Sequence, residues 1–117
     1  RNLVAVGADP MAVTDNLNFG NPENMEVYHQ LYYAVEGIRE ACLAFNTPVT
    51  GGNVSLYNET RAKVDGVDTV EAIYPTPVIG MVGLITDENQ VFSPHFKQAG
   101  DIVALLGSFN PSLGGSE

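Results

Sequence analysis

Apolar residues follow two different rhythms along this chain. The longest periodic stretch is Met25, Tyr28, Leu31, Tyr32, Val35, Ile38, Cys42 and Phe45, spaced by threes and fours. That spacing predicts one amphipathic helix over residues 23–45. Pro22 followed by Glu23 and Glu26 suits its start, where acidic groups meet the positive end of the helix dipole. Asn46-Thr47-Pro48 stops it. Upstream, residues 2–8 read as the last turns of a helix closed by Gly7. Residues 11–14 read as a short buried strand. The stretch 15–22, rich in Asp, Asn, Gly and Pro, reads as a turn-forming loop. Downstream, residues 48–60 hold strand-like Val, Leu and Tyr positions broken by Gly51-Gly52. Residues 61–72 are polar without a clear period and predict an exposed hairpin loop. Residues 76–86 form a second apolar strand, with Gly80 and Gly83 as points of close approach. Residues 101–106 form a third, entered through the Gly100-Asp101 turn. Strand, long helix, then three strands predicts an α+β sheet with helices on one face.

Composition narrows what such a fold does. The 117 residues suit one domain, with 5 basic against 14 acidic side chains, a net charge of −9 and a pI near 4.4. A row of phosphates has no basic face to meet, which argues against nucleic acid as a partner. The same balance argues against an anionic membrane surface. The single Cys42 rules out an internal disulfide framework and any paired-cysteine metal knuckle. No apolar run approaches the roughly 18–20 residues that span a bilayer. The chain opens on Arg1 with no signal-peptide pattern and closes on a loop-like Leu113-Gly114-Gly115-Ser116-Glu117. Both ends read as cut, so a piece of a longer protein is expected, with residues 1–117 as one domain of it.

Two segments carry candidate chemistry. In 14–22 (TDNLNFGNP), an Asp ending a buried strand and followed by amides and Gly can offer oxygen ligands and N–H groups to a metal–phosphate. The same residues also suit an Asx-turn in which Asp15 satisfies only local backbone N–H groups. In 50–55 (TGGNVS), adjacent glycines let the backbone approach a bulky anion, and Asn53 and Ser55 alternate onto one face of a strand. A bulged strand with hydrogen-bonding side chains explains that pattern equally, and it matches neither common nucleotide-loop motif. Other candidates are weaker. His29 lies off the apolar stripe as a solvated side chain. His95 sits in a loop without the partners a zinc site needs. Cys42 reads as a buried small hydrophobe, Tyr28 and Tyr32 as core or interface packing, and Glu36, Arg39 and Glu40 as a solvated face.

Taken in order, AVTDNLNFGNPE at 12–23, PVTGGNVSLYNET at 48–60 and YPTPVIG at 74–80 closely resemble phosphoribosylformylglycinamidine synthase, in the synthetase subunit of its short bacterial form. The resemblance covers nearly all of the chain. It implies an α+β fold with a mixed sheet and helices on one face, like the N-terminal domain of aminoimidazole ribonucleotide synthetase, taken from the second of two related halves. It implies conversion of formylglycinamide ribonucleotide, ATP and glutamine-derived ammonia to formylglycinamidine ribonucleotide, ADP and phosphate through an iminophosphate. Matched residue by residue, it implies ATP contacts at Asp15 and Gly52, a Mg²⁺ ligand at Asn53 and a substrate contact at Ser55, with no acid–base catalyst in this segment. It implies as partners the first-half domain of the same chain, a glutaminase subunit and a small accessory subunit, in the cytoplasm. The family's catalytic His and ATP-contacting Lys belong to the first half, and residues 61–73 run longer than the short turn expected there. Two other readings stand beside this one. The chain is a related synthetase of the same superfamily, or it is a non-catalytic assembly module whose exposed sheet edges pair it with a second copy.

Overall fold

The computed structural model describes residues 1–112. The terminal stretch 113–117, read above as a loop, lies outside the described residues. A short helix α1 (Asn2–Ala5) leads through Gly7, at φ +88°, into β1 (Asp9–Asn18). There the carbonyl of Gln90 sits where a Cβ on residue 7 would project, so this position needs glycine on both counts. Helix α2 (Met25–Phe45) follows, then β2 (Val49–Ser55), β3 (Glu59–Val64), β4 (Val67–Ala72), β5 (Thr76–Leu84) and a 3₁₀ turn (Glu88–Gln90).

Three strands form one sheet in the order β2-β1-β5. β1 runs parallel to β2, with α2 as the crossover, and antiparallel to β5, so the sheet is mixed. β3 and β4 form a separate two-stranded hairpin. Its turn is Asp65-Gly66, both at positive φ (52° and 82°), as the twist of a two-residue hairpin loop requires. The polar stretch 61–72 is therefore regular hairpin rather than loop.

The core is small and lies between β1 and α2. Leu17, Phe19 and Val27 are buried together, with Leu31, Ala34, Ile38 and Leu56 packed against them. Phe19 is 0% exposed, and full burial of such a side chain stabilises by roughly 1.5–3 kcal/mol. Three expectations need correcting here. First, the strand does not stop at residue 14. It continues to Asn18, because Val13, Leu17 and Phe19 recur on one face of the pleat and pack under α2. The turn is confined to the residues after Phe19, and α2 begins at Met25, capped by Asn24, whose Oδ1 accepts from Glu26 N–H at 2.9 Å. Second, the helix buries a stripe through Val27, Leu31, Ala34 and Ile38. Met25, Tyr28, Tyr32, Val35 and Phe45 are exposed. Apolar residues occupy more of the helix circumference than one sheet contact covers, so the spacing alone admits two stripes. Tyr28 and Tyr32 are thus not core, and Cys42 is half-buried. Third, residues 101–106 form no strand: Ile102 is 93% and Leu106 96% exposed. An apolar run becomes a strand only where an edge pairs with it.

Candidate functional site at the β1–β2 edge

Parallel pairing sets the register of the two motif segments: Asp15 stands opposite Gly52, Asn16 opposite Asn53, and Asn18 opposite Ser55. Residues 37 apart in sequence are thereby neighbours. Hydroxyls secure the register from both sides. Thr14 Oγ1 donates to Gly51 O at 3.0 Å, and Thr50 Oγ1 to Val13 O at 3.3 Å. A Cβ on Gly52 would collide with both the carboxylate and the carbonyl oxygen of Asp15, so glycine is what lets Asp15 lie across the neighbouring strand. Gly51, by contrast, faces open space.

The four predicted site residues divide between the two faces of the sheet. Asp15 alternates with Val13 and Leu17, and it lines a cavity with Val35, Ile38 and Cys42. It therefore points to the α2 side, over Gly52. Asn53 and Ser55 lie on the opposite face, as their alternation predicts. Asn53 Nδ2 donates to Asn16 Oδ1 at 3.0 Å, leaving its own Oδ1 without a partner among the described residues. β2 is the outer strand of its sheet. With Ser55 O bonded to Phe19 N–H, alternation turns the N–H groups of Gly52 and Val54 off the free edge. What joins the two faces is thus an open strand edge lined by Gly51 and Gly52.

Ser55 is held by a residue the sequence reading missed. Asn58 Nδ2 donates to Phe19 O and Ser55 O and lies 3.0 Å from Ser55 Oγ, tying the end of β2 to the end of β1. Its signal was its place in the YNET stretch, after the strand residues. Between them Tyr57 adopts φ +60°, an uncommon conformation for a non-glycine residue. Asn16 and Asn18 were also missed as companions of Asn53. Asn18 Nδ2 reaches Thr76 O at 3.2 Å, coupling this face to β5.

Charge at the site is sparse. Arg39 borders the Asp15 cavity but is engaged by Glu36, to which its Nε and Nη2 both donate. That hydrogen bond, before any through-space attraction, lowers the Glu36 pKa and raises that of Arg39. The pair is solvated, as expected. Thr47 is 1% exposed, and its Oγ1 has no hydrogen-bond partner. An unpaired buried hydroxyl of this kind costs about 1–3 kcal/mol. No group of three His, Cys, Asp or Glu side chains gathers among the described residues. The donors present fit a magnesium ion that arrives with phosphate oxygens and water, with Asn53 Oδ1 as a protein ligand, and not an all-protein cage. His29 lies tilted beside the rings of Tyr28 and Tyr33 on the exposed side of α2, and His95 is exposed in a loop. Neither reaches the edge.

The family described as AIR synthase related protein, N-terminal domain, matches residues 1–85. This chain belongs to that family. The AIR synthase N-terminal match takes in all five strands and both faces of the β1–β2 edge. The phosphoribosylformylglycinamidine synthase subunit PurL of Gloeobacter violaceus is 62% identical over 117 residues, which is the whole of this chain and 15% of the relative. The chain thus spans about one-seventh of the length of that curated relative. Among solved structures, Thermotoga maritima PurL complexed with ATP is 36% identical, with a TM-score of 0.54 over 69% of this chain and 12% of that one. The structure of PurLQS from the same organism is 34% identical, with a TM-score of 0.60 over 81% of this chain and 14% of that one. These likenesses agree with the resemblance seen in the three motifs, and the mixed sheet with its helix agrees with the α+β expectation.

Proposed function

We propose that residues 1–117 are one synthetase-type domain of an ATP-dependent carbon–nitrogen ligase of purine biosynthesis, and that the β1–β2 edge holds the nucleotide. The observation that carries this is the register Asp15–Gly52 and Asn16–Asn53 on a free strand edge, in a chain 62% identical to a phosphoribosylformylglycinamidine synthase subunit. Asp15 and Gly52 contact ATP, Asn53 ligates Mg²⁺ and Ser55 contacts the substrate.

The chemistry explains why such a site suffices without an acid–base residue. An amide carbon is a poor electrophile. The oxygen of the formylglycinamide amide attacks the γ-phosphorus of ATP, releasing ADP and giving an iminophosphate. Ammonia then adds at that carbon, and phosphate leaves with the former amide oxygen. Glutamine and water supply the ammonia and yield glutamate elsewhere in the assembly. Positioning and charge neutralisation dominate such phosphoryl transfer. Mg²⁺, when bound, neutralises phosphate charge that this acidic chain does not meet with side chains of its own. Gly52 lets the carboxylate of Asp15 lie across the strand edge, and Asn58 holds Ser55 at the end of the face that Asn53 occupies.

This function gives the partners as the first-half synthetase domain of the same polypeptide, a glutaminase subunit and a small accessory subunit, in the cytoplasm. No helix of the described residues is long and apolar enough to cross a membrane. The domain alone is inactive. The unpaired outer edges of β2 and β5 favour a second reading, in which the chain by itself acts as an assembly module and forms homodimers.

Steady-state formation of formylglycinamidine ribonucleotide by the full-length protein tests the proposal. Asn53→Ala is expected to raise the Mg²⁺ requirement and Ser55→Ala the KM for formylglycinamide ribonucleotide. Unchanged kinetics in both variants overturn it.

A further inference from the structure

The β3–β4 hairpin takes no part in the site described above, and it is exposed over nearly its whole length. Its root is fixed. Ala72 lies against Gly20, and Ile73 N–H donates to Asn58 O at 3.1 Å. Beyond the root stand two strands with solvent on both faces, an arrangement that is marginally stable alone in water. The register shows which backbone groups are left open. Val64 and Val67 close the two-residue Asp65-Gly66 turn as a bonded pair. Alternation from there turns the N–H and C=O groups of Thr60, Ala62 and Val64 toward β4, and those of Glu59, Arg61 and Lys63 away from it. Among the described residues nothing bonds to the backbone of Arg61 or Lys63 along that outer edge.

Charge marks the same edge. The chain has 5 basic side chains against 14 acidic. Arg39 is held by Glu36, and Lys97 donates to Ser93 Oγ. Arg61 and Lys63 are the one pair of basic residues within two positions of each other, and strand alternation puts both on one face of β3. Lys63 meets Asp68 at 3.6 Å with both side chains well exposed, and Arg61 stands opposite Val70. Such charges guard an edge against its own kind. A two-fold pairing of β3 that sets Glu59 against Lys63 also sets Arg61 against Arg61 of a second copy. A strand bearing carboxylates at those positions meets no such repulsion.

We propose that β3 accepts a third, antiparallel strand from another polypeptide, an extended segment with acidic side chains at two alternate positions. Its backbone bonds to the outward groups of Arg61 and Lys63, and its carboxylates pair with their side chains. Main-chain bonds then supply affinity and the alternate side chains specificity. Glu59 selects a basic residue opposite it, and small apolar side chains between the acidic ones pack beside Thr60 and Ala62. In a chain so acidic overall, Arg61 and Lys63 make this edge a place where an acidic segment is drawn in. The inference stands apart from nucleotide binding at the β1–β2 edge.

Fluorescence anisotropy of a labelled peptide, Thr-Glu-Val-Glu-Val-Lys-Thr, titrated with the full-length protein tests this. Run antiparallel to β3, its glutamates fall opposite Lys63 and Arg61 and its lysine opposite Glu59. Saturable binding that weakens with added salt is expected. A second peptide, Thr-Lys-Val-Lys-Val-Lys-Thr, is expected to bind at least tenfold more weakly. The double variant Arg61→Glu, Lys63→Glu is expected to reverse that preference while formation of formylglycinamidine ribonucleotide stays unchanged, and its binding of the lysine peptide shows the hairpin still folded. Arg61→Pro removes an outward N–H that an edge strand can spare, and is expected to weaken the glutamate peptide severalfold beyond Arg61→Ala. No binding of the glutamate peptide to the unsubstituted protein overturns the proposal, as does affinity within twofold in the double variant. Equal losses in Arg61→Pro and Arg61→Ala reduce the contact to charge alone and overturn strand addition. A dimer of the full-length protein in sedimentation velocity that Arg61→Glu dissociates gives the edge to a second copy and overturns it too.

Discussion

The carboxylate of Asp15 occupies the space that a side chain on Gly52 would need. The two residues lie directly opposite each other on parallel strands, with a 21-residue helix between them in sequence. Each therefore constrains the other: glycine at 52 permits the carboxylate to lie across the strand, and the carboxylate forbids anything larger there.

Gly52→Ala is expected to destabilise the domain by about 1–3 kcal/mol, the usual range for overpacking, because the carbonyl oxygen of Asp15 cannot swing aside as its carboxylate can. Gly51→Ala meets open space and is expected to change stability by less than about 0.5 kcal/mol. Urea denaturation of the two variants checks the contrast. Equal effects would show that the strands do not lie this close.

Phe19→Ala removes the most buried side chain of the core and is expected to cost about 3–5 kcal/mol. Tyr32→Ala, on the exposed side of α2, is expected to fall within about 0.5 kcal/mol in the same denaturation experiment. A large loss at Tyr32 would place the buried stripe where residue spacing alone had put it.

The difference between those two stripes shows what was legible in the residues. Helix α2 is legible because a 3.6-residue period survives over many residues, whatever it packs against. Which flank is buried is not, because Val27 and Tyr28 both complete plausible stripes and only the position of β1 chooses between them. The turn-forming letters of Asp15, Asn16 and Asn18 mask the alternation of Val13, Leu17 and Phe19, so the residues alone end strand β1 too early. Residues 101–106 carry the composition of a strand, but pairing is a property of two segments, and no edge meets them here. The pairing of Asp15 with Gly52 was legible as matched motifs. Their division from Asn53 and Ser55 by the plane of the sheet follows only from the observed register.

Asn58 is expected to act through Ser55. Asn58→Ala removes the bonds to Phe19 O and Ser55 O. In the full-length protein it is predicted to raise KM for formylglycinamide ribonucleotide several-fold while leaving Mg·ATP affinity within twofold. Parallel losses for both ligands would instead mark a general collapse of the β1–β2 edge.

Asp87 gives a pH signature. Its side chain accepts from Asn89 N–H and from the Asn89 and Gln90 amides, and the backbone bond is the largest cause holding its pKa below the ordinary aspartate value. A carboxyl depressed on folding contributes stability that is fully present above its unfolded pKa and is lost as pH falls through the lower folded one. Hydrogen exchange at Asn89 N–H is therefore expected to accelerate over that acidic window beyond its intrinsic trend. Asp87→Asn is expected to abolish the pH-dependent part.

The most direct test of the central claim, that the Asp15–Gly52 edge holds a magnesium nucleotide, is calorimetric titration of the full-length protein and its Asp15→Ala variant with Mg²⁺ and a non-hydrolysable ATP analogue. The account predicts binding to the unsubstituted protein and an affinity at least tenfold weaker in the variant, with the fold retained. Equal affinity in both proteins would contradict it.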